Sequence, residues 1–151
     1  MFSTPRHFIK TGIGFLGVGL ALGSWILVNR ELRGLGAHPY LVSAHVHAVG
    51  VGFVMFLILG VAQWLFPRAP KDDSRYRPAR VLAAYWLLTI GTAARIGTEV
   101  SRVWSDAYWL RLVVLGAGLV QVVGLVIYFN AMWGRIRPVG SAAREVAGER
   151  F

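Results

Sequence analysis

His45 and His47 stand two positions apart just inside a long apolar run, and theirs are the side chains in this chain best suited to hold a metal. Neutral imidazole is the commonest protein ligand for iron, copper and zinc. The sequence has no cysteine, which removes thiolate sites, iron-sulfur clusters, disulfides and covalent c-type heme attachment. From Leu41 to Phe66 the only other strongly polar side chain is Gln63. An imidazole in hydrocarbon is costly, so its presence there marks a task. His38 lies seven residues before His45, two helical turns away, and would share a surface copper or zinc site with it if the helix reached that far.

The elements that must carry these histidines are membrane spans. In 151 residues, 56% are hydrophobic and 15% charged, and the mean hydropathy is +0.55. Whole helical turns carry no polar group, unlike the two-faced helices of a water-soluble domain. Four spans follow: Phe8 to Asn29, Leu41 to Phe66, Ala79 to Thr98 and Tyr108 to Trp133, each long enough to cross a bilayer. Arg6 and Lys10 precede an apolar stretch as they would in a signal peptide, but no convincing small-residue cleavage site precedes Arg30, so the run reads as a retained helix. The connections are short, and the expected fold is all-α, an up-down four-helix bundle over residues 1–138. Pro67, Pro70 and Pro78 bracket a loop carrying Asp72, Asp73 and Ser74, and residues 139–151 read as a polar tail.

Four crossings place both termini on one side, together with Arg6, Lys10, Arg68, Lys71, Arg75, Arg77, Arg80, Arg135, Arg137, Arg144 and Arg150. The other side holds Arg30, Arg33, Arg95, Arg102 and Arg111, so eleven cations face five. The positive-inside rule then puts the termini in the cytoplasm, the histidine pair near the outer face, and the chain in the inner, plasma membrane. The formal charge of +9 is accounted for by that asymmetry facing anionic lipid. No module pairing aromatic and basic residues for nucleic acid is visible.

Ser43-Ala44-His45-Val46-His47-Ala48-Val49-Gly50, followed by Gly60-Val61-Ala62-Gln63-Trp64-Leu65-Phe66-Pro67-Arg68, resembles the second-helix signature of small four-helix membrane proteins similar to the catalytic subunit of heme-copper oxidases and nitric oxide reductases. Strong similarity covers roughly a fifth of the chain. The resemblance implies a b-type heme held by a histidine of this helix, His45 or His47. Besides that pair the chain has only His7 and His38, too few for the copper centre and second heme of a complete terminal oxidase. Where relatives place a further histidine early in the third helix, this chain reads Ala83-Ala84-Tyr85-Trp86.

On a regular helix two positions differ by about 200° around the axis, so His45 and His47 face opposite ways and at most one ligates a given iron. His47, the deeper of the two, is the preferred ligand, and a homo-oligomer would let a second copy complete the coordination. Arg95, Arg102 and Arg111 lie on the same side and are expected partners for heme propionates. Arg95 alternatively pairs with Glu99, one turn on. Glycines in the first and fourth spans permit close helix packing or leave room for a flat ligand, and Met55 is read as packing. Trp64, Trp104, Tyr108, Trp109 and Trp133 fall at span ends as an aromatic belt.

The expected function is therefore a membrane heme b protein for electron transfer or for binding nitric oxide or oxygen, served by a redox partner, protein or quinol. The alternative is a copper or zinc protein using His38, His45 and His47. A third class, a small transporter or a lipid-metabolising enzyme, would need an acidic residue deep in the first helix or charged groups in the second, and both are missing.

Overall fold

A computed structural model describes residues 3–67 and 75–137, with residues 140, 143, 144, 147 and 148 of the tail. The aspartate-bearing stretch 68–74 and most of the tail from Pro138 lie outside the described residues. The fold is all-α. Helix α1 spans Ser3–Arg33 and α2 Pro39–Leu65, while α3 spans Pro78–Ser101 and α4 Tyr108–Met132, closing in a 3₁₀ turn, Trp133–Arg135. All four are long and apolar enough to cross a membrane. Each begins or ends within a few residues of its expected bound. The 31 residues of α1 make it roughly 46 Å long, so its ends pass beyond a hydrocarbon layer of about 30 Å.

Starts and stops have local causes. Pro39 and Pro78 open α2 and α3 at positions where the missing N–H costs nothing. Gly34, at φ +63°, releases the chain after α1 in the left-handed conformation that glycine tolerates. At the other end of α2, Arg135 caps the helix: Nε donates to the Pro67 carbonyl at 2.8 Å, and Nη2 to those of Gln63 and Phe66 at 2.8 and 2.9 Å.

The α2 rod is not the regular helix expected. His47–Met55 is a π-helical stretch between α-helical segments Pro39–Val46 and Phe56–Leu65. Such wide turns recur where a helix serves a site. Along the α1–α2 seam small residues admit their neighbours: His45 lies on Gly23, Val49 on Gly19, Phe15 on Gly52 and Phe8 on Gly60. As α1 numbers fall, α2 numbers rise, so the pair is antiparallel. Helices α3 and α4 pair likewise, with Gly91 against Gln121 and Gly124 against Leu88.

Phe15 limits what position 52 can carry. A Cβ there would sit 2.6 Å from Phe15 Cβ and 2.7 Å from Cγ, atoms too near the α1 backbone to swing aside. Gly52→Ala is expected to cost about 1–3 kcal/mol, read as a lower thermal midpoint in detergent. An unchanged midpoint would mean that the seam is looser than described.

The two ends of the bundle are built differently. At the end where α1 starts and α4 finishes, Phe8, Phe56, Leu59, Tyr85, Leu88, Tyr128 and Met132 belong to the main apolar core, and Tyr128 donates to the Leu59 carbonyl at 2.6 Å. At the histidine end the apolar cluster shrinks to Ala44, Ala48 and Ile96. Thr92, Glu99 and Gln121 are buried in that half instead.

Candidate functional site

One of the buried polar groups of that half, Glu99, lies where α2 meets α3. His47 Nδ1 lies 2.8 Å from the Ser43 carbonyl of its own helix, one turn back. A carbonyl only accepts, so in the neutral imidazole the ring proton sits on Nδ1 and Nε2 carries the lone pair. Across the interface, Glu99 of α3 brings Oε2 to 3.5 Å from the same Nδ1. Ser43 Oγ donates to Glu99 Oε1 at 2.9 Å, and Arg95 Nε donates to that oxygen at 3.2 Å. The Glu99 side chain is only 4% exposed, and its Oε2 has no hydrogen-bond partner.

A carboxylate withdrawn from water needs a counter-charge, and Arg95 supplies one from one turn away on the same helix. The sequence alternative for Arg95, pairing with Glu99, is what the structure contains. Ser43 and Glu99 were not among the expected site residues. Ser43 had a legible signal, its place four residues before His47, whereas the meeting of Glu99 with α2 depends on helix rotation that spacing does not encode. A second polar contact, Gln121 Nε2 to Thr92 Oγ1 at 2.9 Å, lies in the same half and joins α4 to α3.

His45 faces the opposite way, as expected from its position. Its Nδ1 lies 2.8 Å from the Gly19 carbonyl of α1, and its ring rests on Gly23. That imidazole ties two helices together, whereas the bond of His47 stays within its own helix. His38 lies outside α2: its backbone is extended and its Nδ1 accepts the Tyr40 N–H at 3.3 Å as an N-cap. The alignment of His38 with His45 required helix through position 38, and it is not formed because α2 starts at Pro39. Among the described residues no group of three or more His, Asp or Glu side chains gathers as a metal site, so the three histidines do not converge.

Of the other two arginines, Arg102 follows the end of α3 and Arg111 lies in the first turn of α4. Arg102 Nη2 donates to Asp106 Oδ1 at 2.8 Å and its guanidinium stacks 4.0 Å above the Tyr40 ring, while Arg111 pairs with the other Asp106 oxygen. All three expected propionate partners therefore already hold a carboxylate, Arg95 inside the bundle and Arg102 and Arg111 at its rim.

Hydrogen bonds from Arg102, then Arg111, hold the Asp106 carboxyl below its usual range. A carboxyl pKa lowered by folding adds stability above the unfolded value, near 3.8, and the gain fades as pH falls through the lower folded value. Wild type and Asp106→Asn are expected to differ in thermal midpoint by a small constant amount near neutrality. Below about pH 4 the two curves should converge. A gap that widens in acid would contradict the assignment. Asp106 is 61% exposed, so the effect is small and salt-sensitive.

The chain matches no family model, no curated protein and no solved structure.

Proposed function

We propose that this chain is a membrane b-type heme protein, acting in electron transfer or in binding nitric oxide or oxygen, with His47 as axial ligand. The observation that carries the reading is the anchored imidazole of His47, whose Nδ1–H is held by the Ser43 carbonyl with the buried Glu99 carboxylate beside it and whose Nε2 lone pair has no partner among the described residues; His45 is fixed the same way on the Gly19 carbonyl but has no such carboxylate beside it among the described residues. This is the arrangement of a metal-binding histidine, with the far nitrogen fixing ring and tautomer. The donor set fits a heme iron: one imidazole nitrogen, no thiolate in the sequence, and, among the described residues, no group of three His, Asp or Glu side chains that would select a bare ion.

Bound heme would supply one-electron chemistry and a site for a diatomic ligand. The chain's own residues orient and tune. Ser43 sets the imidazole tautomer; Glu99 lies beside the same Nδ1–H and raises the basicity of the ligand nitrogen; Arg95 holds Glu99 in place. Arg95, Arg102 and Arg111 retain further N–H donors suited to propionates.

We further place the chain in the plasma membrane with its termini in the cytoplasm, which the eleven-to-five split of cations supports. A homo-oligomer would supply a second axial ligand, since His47 is the one imidazole at the α2–α3 interface among the described residues. The redox partner is a protein or a quinol. The test is an absorption spectrum of detergent-purified protein, as isolated and after hemin reconstitution, oxidised and then dithionite-reduced. A Soret band that shifts and sharpens on reduction is expected. A colourless protein after reconstitution would overturn the reading.

A further inference from the structure

The other end of the bundle holds a site of different chemistry. A cavity of about 340 Å³ between α1 and α2 is lined by Arg6, Ile9, Lys10 and Trp64. Arg6 and Lys10 are four residues apart and share one helix face. Neither has a carboxylate or hydrogen-bond partner among the described residues. The neighbouring cations differ: Arg135 is consumed in capping α2, and Arg80 donates to the Arg75 carbonyl at 3.1 Å. Trp64, half exposed, flanks the cavity with an amphipathic ring suited to the headgroup layer. On the adjoining face of α2 a wholly apolar groove of about 350 Å³, lined by residues that include Leu57, Ile58, Val61 and Leu65, leads toward the middle of the helix.

We propose that this is a binding site for an anionic phospholipid, with its phosphate between Arg6 and Lys10 and an acyl chain in the α2 groove. Charge complementarity selects the headgroup, because two cations without a carboxylate partner among the described residues, beside an apolar floor, favour a phosphate carrying net negative charge over a zwitterion. The apolar groove on the same end of α2 selects a lipid over a free anion. The site is independent of any heme.

The test is native mass spectrometry of the full chain released from detergent. Phosphatidylglycerol and phosphatidylcholine of identical acyl chains are offered together. Wild type is expected to retain phosphatidylglycerol preferentially, and an R6Q/K10Q variant to lose about fivefold of that preference per cation removed. An R30Q/R33Q variant carries the same charge change at the far end of α1 and is expected to keep the preference. Both pairs are exposed, and circular dichroism checks that each variant is folded. Equal retention of the two lipids by wild type, or equal loss in both variants, would overturn the proposal. So would displacement of the lipid by millimolar inorganic phosphate, which would assign the cations to a free anion.

Discussion

With His47 replaced by alanine, hemin-reconstituted protein is expected to show no Soret band above that of free hemin, while His45→Ala keeps its colour. The two substitutions remove the same chemistry from different places. His47 is the imidazole whose Nδ1–H lies beside the Glu99 carboxylate, and its truncation takes away the proposed iron ligand itself. The loss in hemin affinity should exceed the roughly 10–100-fold that removing a supporting hydrogen bond costs. Glu99→Gln provides that smaller case: the Ser43 carbonyl still holds Nδ1 at 2.8 Å, but the carboxylate beside it is gone. About tenfold weaker binding is expected there, with a higher reduction potential, because a less basic imidazole favours ferric iron less. His45→Ala removes the bond to the Gly19 carbonyl, so its signature is a lower thermal midpoint. Circular dichroism separates loss of heme from loss of fold. If His45→Ala bleaches the protein and His47→Ala does not, the assignment of the ligand is wrong.

Arg135→Leu is expected to be among the most destabilising single changes, by about 3–5 kcal/mol. Its guanidinium, 6% exposed, satisfies the carbonyls of Gln63, Phe66 and Pro67 and lies 5.0 Å over the Tyr76 ring. A helix end leaves up to four carbonyls without partners, and at a membrane boundary a fixed cation answers both their hydrogen-bonding need and the negative pole of the helix. Leucine would keep the apolar stem and orphan three carbonyls at once. Arg135→Lys should recover part of the loss, because one ammonium keeps the charge but not the planar fork that reaches all three. Denaturant or thermal unfolding in detergent reads both variants. A midpoint within error of wild type for the leucine variant would show that water satisfies those carbonyls just as well.

Much of the architecture was legible before any coordinates. Four spans, their order and nearly all their limits follow from hydropathy and from Pro39 and Pro78, since a bilayer-crossing helix must satisfy its backbone internally and announces itself by length. That His45 and His47 face different ways also needed only the helical repeat. The rest depends on how the helices are rotated against one another. Hydropathy is nearly uniform around these rods because lipid and core are both apolar, so the pattern that reveals the inner face of a soluble helix is faint here.

The π-helical stretch His47–Met55 and the start of α2 at Pro39 also lay beyond pattern reading. The start at Pro39 removes His38 from the helix, and the wide turns begin at His47. Residue types and spacing alone thus decided that imidazole would lie within the membrane layer and that α3 would carry Arg95 and Glu99 on one face. Only packing decided that Glu99 meets Ser43 and His47 while His45 is spent on Gly19, because contacts between residues 56 positions apart arise from the docking of whole helices and leave no local mark in the chain.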